Sequence, residues 1–139
     1  MPRRTLILTA ILIILTGCVE THYTHIDVEG YPEERLVHSV YLDLLDSLDQ
    51  STIDRVIQDL YSLERVEGVE GLTVQERIET GDQRMPEGFD LVLQMSFEDR
   101  KHLEAYSKDP LHLEVRSRLK GFLNGAPVVY DAVVVPNSK

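Results

Sequence analysis

At 139 residues the chain suits one domain of ordinary size, and its single cysteine excludes an internal disulfide framework or a cysteine-built zinc site. Asp and Glu number 24 against 14 Lys and Arg, a formal charge of −10, with no basic stripe to displace counterions from phosphates; no nucleic-acid partner is expected. An apolar content of 42% supports a packed core rather than global disorder.

Residues 1–17 read as a leader rather than as part of the fold. Arg3 and Arg4 make a positive start, and Leu6 to Leu15 is an almost continuous apolar run. That run is shorter than the roughly 20 residues a bilayer span needs, but it has the length of a secretory signal core. Leu15-Thr16-Gly17-Cys18 then resembles a bacterial lipobox. The resemblance implies cleavage before Cys18 and acylation of that cysteine. The chain is then expected in the bacterial cell envelope, lipid-anchored, on the periplasmic or outer-membrane side. Val19 in place of an aspartate slightly favours the outer membrane. Two or more acyl chains hold firmly, because each buried methylene contributes about 0.8 kcal/mol. Loss of Arg3 and Arg4 with the leader takes the formal charge from −10 to −12.

Residues 18–34 carry Gly30, Pro32 and four glutamates without helical or strand period, and read as a tether reaching on the order of 20–25 Å. His22, Tyr23, His25 and Asp27 lie on it. Two histidines and a carboxylate without a held geometry do not make a competent metal site, so no metal is expected.

The expected domain spans 35–135, with 136–139 as a tail. Leu36 to Leu44 alternates as a strand with Leu36, Val40, Leu42 and Leu44 on one face, and His38 lies on that apolar face. Ile53, Val56, Ile57, Leu60 and Leu63 space a helix over 51–65, with Ser51 as its expected N-cap and Asp54 in its first turn. Gly68 and Gly71 bracket the exit. Leu72, Val74, Glu76 and Ile78 alternate as a second strand, a loop follows over 80–88, and Phe89 to Phe97 is the clearest strand in the chain. A second helical region over 98–122 is interrupted at Asp109-Pro110. Val128 to Val135 is a β-branched final strand.

The order β-α-β-β-α-β, with right-handed crossovers, specifies an α+β fold: a ferredoxin-like sandwich with two helices on one face of a four-stranded antiparallel sheet. The last strand is apolar on both sides, with Val128, Ala132 and Val134 on one and Val129, Val133 and Val135 on the other. A sheet apolar on its uncovered side wants a partner, so a homodimer packed sheet to sheet is expected.

Four segments carry a family resemblance, among them Val37-His38-Ser39-Val40, Val66-Glu67-Gly68-Val69, and Phe97-Glu98-Asp99. The most specific is Leu103-Glu104-Ala105-Tyr106-Ser107-Lys108-Asp109-Pro110-Leu111-His112. From about Arg35 to Val135 the chain resembles the stress-responsive α/β-barrel family, Dabb, of the dimeric α+β barrel superfamily. One departure is Asp109, where members commonly have a histidine before the proline. The resemblance implies a dimeric α/β barrel. Many members have no assigned activity, some are stress-associated, and a few are polyketide cyclases.

In those cyclases a tyrosine and a histidine six residues later serve catalysis, a spacing present here as Tyr106 and His112, and a first-strand histidine, here His38, lines the same cavity. A neutral imidazole suits proton removal alpha to a carbonyl, and a tyrosine hydroxyl suits donation to the developing enolate oxygen. The same residues equally fit structural roles: His112 bonded to a neighbouring backbone group, Tyr106 as a core aromatic, His38 as a packed core histidine. Two functions therefore stand side by side. One is an envelope-anchored binding or stress-associated module for a small apolar or aromatic ligand, without a cofactor. The other is a cyclase-like enzyme using Tyr106, His112 and His38, and a purely structural reading, the dimer as an interaction platform, stays open beside them.

Overall fold

The computed structural model describes residues 35–135; the leader, Cys18, the tether with its histidines, and the tail lie outside the described residues. The elements run β1 (Leu36–Leu42), α1 (Gln50–Ser62), a short 3-10 turn (Leu63–Arg65), β2 (Glu70–Glu76), β3 (Leu91–Phe97), α2 (Arg100–Lys108), α3 (Pro110–Leu119) and β4 (Val128–Val133). They form a four-stranded antiparallel sheet in the order β2-β3-β1-β4. The two helical regions expected from the sequence are present, and the proline divides the second into α2 and α3.

Alternation along β3 sets the layers. Leu91, Leu93, Met95 and Phe97 are buried under the helices, while Val92, Gln94 and Ser96 point the other way. The β1 register places Leu36, His38, Val40 and Leu42 opposite Phe97, Met95, Leu93 and Leu91, so these four share the helix-covered side. Val56 and Leu60 of α1, Leu63, Tyr106 of α2, and Val115 and Leu119 of α3 close the core over them. Each such side chain contributes on the order of 1.5–3 kcal/mol by leaving water.

Each helix starts on an aspartate. Asp49 accepts from Thr52 N at 2.8 Å and caps α1. The expected cap, Ser51, instead lies inside the helix, where its hydroxyl donates to Asp49, and Asp54 falls beyond the first turn. Asp99 caps α2. Asp109 ends α2 and caps α3 in one step. As the residue before a proline it is pushed out of the helical region, to φ −62° and ψ 134°, which is also the backbone an N-cap requires. Pro110 then occupies the first turn, where its missing N–H costs nothing.

Two departures from the expected boundaries have long-range causes. Leu44 leaves β1 to bridge with Leu123, while Leu45 N bonds Phe122 O, strapping the end of α3 to the end of β1. Ile78 lies outside β2 and is 70% exposed, because the hairpin to β3 opens after Arg77 N bonds Asp90 O. Gly71 takes φ +58° where the β2–β3 register shifts, a left-handed bulge position.

The sheet's other side carries no helix. Its β1 and β4 half is apolar, with Val37, Tyr41, Val92, Val128, Tyr130 and Ala132 sharing one side. Val128 and Tyr130 are 65% and 66% exposed. Its β2 half is polar, with Thr73 and Gln75 opposite Gln94 and Val92, and Gln94 Nε2 donates to Ser39 at 3.1 Å.

Candidate functional site

The helices cover β3 and β1 but stop short of β4. Val129, Asp131 and Val133 point to the helix side opposite Val40, His38 and Leu36, yet stay roughly half exposed. α3 is oriented by Arg118, whose guanidinium spans to Asp59 of α1 at 2.8 Å. His112 and then Arg116 and Lys120, at intervals of four, lie on the flank of α3 opposite Arg118. The helix-side row of β4 is thus left uncovered beside His38 and Val40 of β1, and this uncovered strip next to α3 is termed the trench.

The three predicted residues converge there. The Tyr106 ring is 5.9 Å from the His38 ring and 4.3 Å from the His112 ring, centroid to centroid, and it backs onto Phe97 at 5.2 Å. Phe97 also lies 6.3 Å from His38. One aromatic cluster thus fixes all three side chains, with fully buried Phe97 beneath them.

Each group is held in a defined proton state or orientation. His38 Nδ1 lies 2.6 Å from Asp131 Oδ1, directly across the β1–β4 pair. An imidazole donating from Nδ1 to that carboxylate keeps its lone pair on Nε2. His112 Nδ1 donates to the Ser107 carbonyl at 3.3 Å, which again leaves Nε2 as the basic nitrogen. Burial pushes the His112 pKa below its ordinary value, helped by Arg116 and His38 and opposed by the Ser107 carbonyl and Asp109, so the ring is neutral at neutral pH. Burial, and then the Asp109 charge, push Tyr106 up, so it remains an O–H donor. A neutral His112 imidazole and a phenol beside an apolar strip can remove a proton from a carbon acid and donate to an oxygen.

Asp131 is the member the sequence reading missed. Its signal was a lone carboxylate inside Val-Val-Tyr-Asp-Ala-Val, on a strand otherwise apolar on both sides. Only the register of β4 against β1 identifies His38 as its partner. Among the described residues no group of three or more His, Cys, Asp or Glu side chains is placed to hold a metal ion, and no helix is long and apolar enough to cross a membrane.

A cavity of about 440 Å³ lies on the other flank, lined by Arg55, Gln58, Asp59, Arg118 and Phe122. Its Arg118 is committed to Asp59 and Glu114, and neither the histidines nor Tyr106 line it. His38, Tyr106 and His112 converge elsewhere, beside β4.

The family model for the stress responsive A/B barrel domain, Dabb, matches residues 36–134. Among solved structures, the hydroxynitrile lyase from Passiflora edulis superposes with a TM-score of 0.68 at 17% identity, covering 78% of this chain and 100% of its own. A dimeric ferredoxin-like protein of unknown function from Thermobifida fusca gives 0.62 at 12% identity, covering 75% and 94%. A Dabb family protein with a ferredoxin-like fold from Mesorhizobium loti gives 0.58 at 19%, covering 76% and 99%. At these identities the likeness speaks for the fold alone. No curated protein matches the chain.

Proposed function

The chain belongs to the stress-responsive A/B barrel domain family, and on that premise we propose that it is an envelope-anchored, dimeric module that binds a small, largely apolar carbonyl compound in the trench between α3 and β4. The carrying observation is the convergence of His38, Tyr106 and His112 on one open trench with apolar flanks. Residues 35–139 hold every described element and the core, and solved chains of similar extent superpose on this part, so this fragment serves as the folding unit.

Titration of that fragment with acetophenone, followed by proton NMR of the histidine rings, tests the reading. Saturable shifts at His112 and His38 are expected, and His112→Ala weakens binding without unfolding the domain. Unmoved histidine signals across a panel of aromatic and aliphatic ketones would remove the reading.

Two further parts concern place and assembly. The lipobox supports acylation at Cys18, with residues 18–34 as tether. Cys18→Ser is expected to leave an uncleaved, unacylated precursor, and normal processing would sink this part. The exposed apolar half of the open sheet side supports a second copy as its cover, as does the dimeric state named for the Thermobifida protein. Tyr130→Glu is expected to turn a sedimenting dimer into a monomer.

A second reading, an enzyme, is favoured by the His38–Asp131 pair. His38 Nε2, or His112 Nε2, takes the proton alpha to the bound carbonyl while the Tyr106 hydroxyl donates to its oxygen. The same step, giving an enolate that attacks a second carbonyl, begins an aldol ring closure. Solvent deuterium exchange into the methyl group of acetophenone reads it directly. Exchange that falls at least tenfold in both Tyr106→Phe and His38→Ala supports catalysis, and exchange no faster than in buffer leaves the binding module alone.

A further inference from the structure

The trench carries a charge gradient along its length. At one end stand the carboxylates Asp131 and Asp109, the first bonded to His38 and the second capping α3. One turn of α3 beyond His112, about 5.4 Å along the axis, stands Arg116, and a turn further Lys120. α3 ends near the strap that ties Leu123 to Leu44, so it runs with β1 from the His38 end toward Leu42. Arg116 comes next along that path, close enough for its charge to act on the His112 ring, and Val40 and Val129 face each other across β1 and β4.

Arg116 is exposed, and among the described residues its guanidinium makes no ion pair or hydrogen bond. Its neighbour Arg118, on the α1 flank, has two carboxylate partners. Proximity to the helix C-terminus accounts for a cation in the last turn, but it is satisfied equally by Arg118. It does not account for a second guanidinium four residues after His112, unpaired, whose charge acts on that ring.

We infer that Arg116 anchors a carboxylate, and that the compound bound in the trench is a keto acid whose carbonyl lies at His38, Tyr106 and His112 with its carboxylate about one helical turn away. The inference rests on the trench being a ligand site. A guanidinium presents a planar fork that matches a carboxylate through two parallel bonds, a geometry an ammonium lacks. The carboxylates at the opposite end repel the same group, so the ligand enters in one direction. The Asp131 and Asp109 charges thereby fix which carbon faces the imidazoles.

The probe is benzoylpropionate, a phenyl ketone with its carboxylate two methylenes from the carbonyl, compared with its primary amide. Binding to residues 35–139 is followed by calorimetry and by the His112 ring signal. The acid is expected to bind roughly tenfold or more tightly than the amide, the scale of a charge-assisted bond. Arg116→Gln brings the two to parity, leaves the amide's affinity unchanged and leaves the melting temperature unchanged. Arg116→Lys restores part of the preference, and Lys120→Gln keeps most of it. Equal affinities in the wild type, or a preference that survives Arg116→Gln, would overturn the inference while an amide that still moves His112 keeps the trench reading. If neither compound moves His112, both are overturned.

Discussion

Two corners of the molecule share one local sequence and use it differently. Asp99 is followed three residues later by His102, and Asp109 three residues later by His112. Both aspartates cap a helix, and both histidines sit in the first turn. At the first corner the ring folds back, with Nδ1 2.8 Å from the Asp99 carboxylate. It packs on Gly68, where an added Cβ would meet its Cδ2 at 2.9 Å. At the second corner Asp109 spends its oxygen on Leu111 N and His112 N, and the ring turns instead to the Ser107 carbonyl and the face of Tyr106. The spacing fixes the cap; what the ring then meets decides the histidine's role. Against a glycine surface the ring is a clasp; beside a tyrosine and an uncovered strand it is free to meet a ligand, as proposed above.

The largest effect on this contrast comes from Tyr106→Ala. It empties the centre of the second corner, is expected to cost about 3–5 kcal/mol, and leaves His102 bonded to Asp99. Urea unfolding gives the loss, and a change in the His102 ring signal would show that the corners are coupled. Gly68→Ala attacks the first corner. Its φ of +84° and the contact with His102 predict a loss of roughly 1–3 kcal/mol. A second change, His102→Ala, should return the part due to the clash, and a double-mutant cycle separates the two. Asp99→Ala and Asp109→Ala each remove a cap and should cost about 1 kcal/mol, whereas Asp109→Ser keeps the cap, and stability within about 0.5 kcal/mol of wild type is expected.

The smallest effect is the most diagnostic, because the two histidines carry opposite signs with pH. The Asp99 hydrogen bond raises His102 above its ordinary value. Its contribution is full below about pH 6.5, the unfolded value, and fades as pH rises through the folded value. Burial lowers His112, so its contribution is full above about pH 6.5 and fades as pH falls through the folded value. Stability measured against pH in His102→Ala and His112→Ala should deviate from wild type in opposite directions. Deviations of the same sign would mean that one ring is not held as described.

Much of this was legible locally. The alternation along residues 91–97, the apolar side carrying His38, and the break at Pro110 each follow from neighbours in sequence. The pairing of Tyr106 with His112 comes instead from the family resemblance, and the structure brings the two rings to 4.3 Å. The cap of α1 was not legible locally, because Asp49 and Ser51 both have capping side chains and only the start of the buried stripe's final geometry selects Asp49. Ile78 continued the alternation, but continuing the strand requires a partner, and β3 begins at Leu91. Asp131 was hidden for the same reason. Its meaning is a pairing across 93 positions of chain, which periodicity within either strand does not encode.

Strand β4 is also the outer edge of the sheet, and from Val128 to Val135 its only charge is Asp131. A flat, valine-rich edge with free backbone donors is a template for end-to-side polymerisation, and a single embedded charge is the usual guard against it. Replacing Asp131 with Asn therefore disarms two things at once: the tether on His38 and the protection of the edge. Material lost to fibrils or soluble aggregates has to be counted before any fall in ligand binding by that variant is ascribed to the histidine.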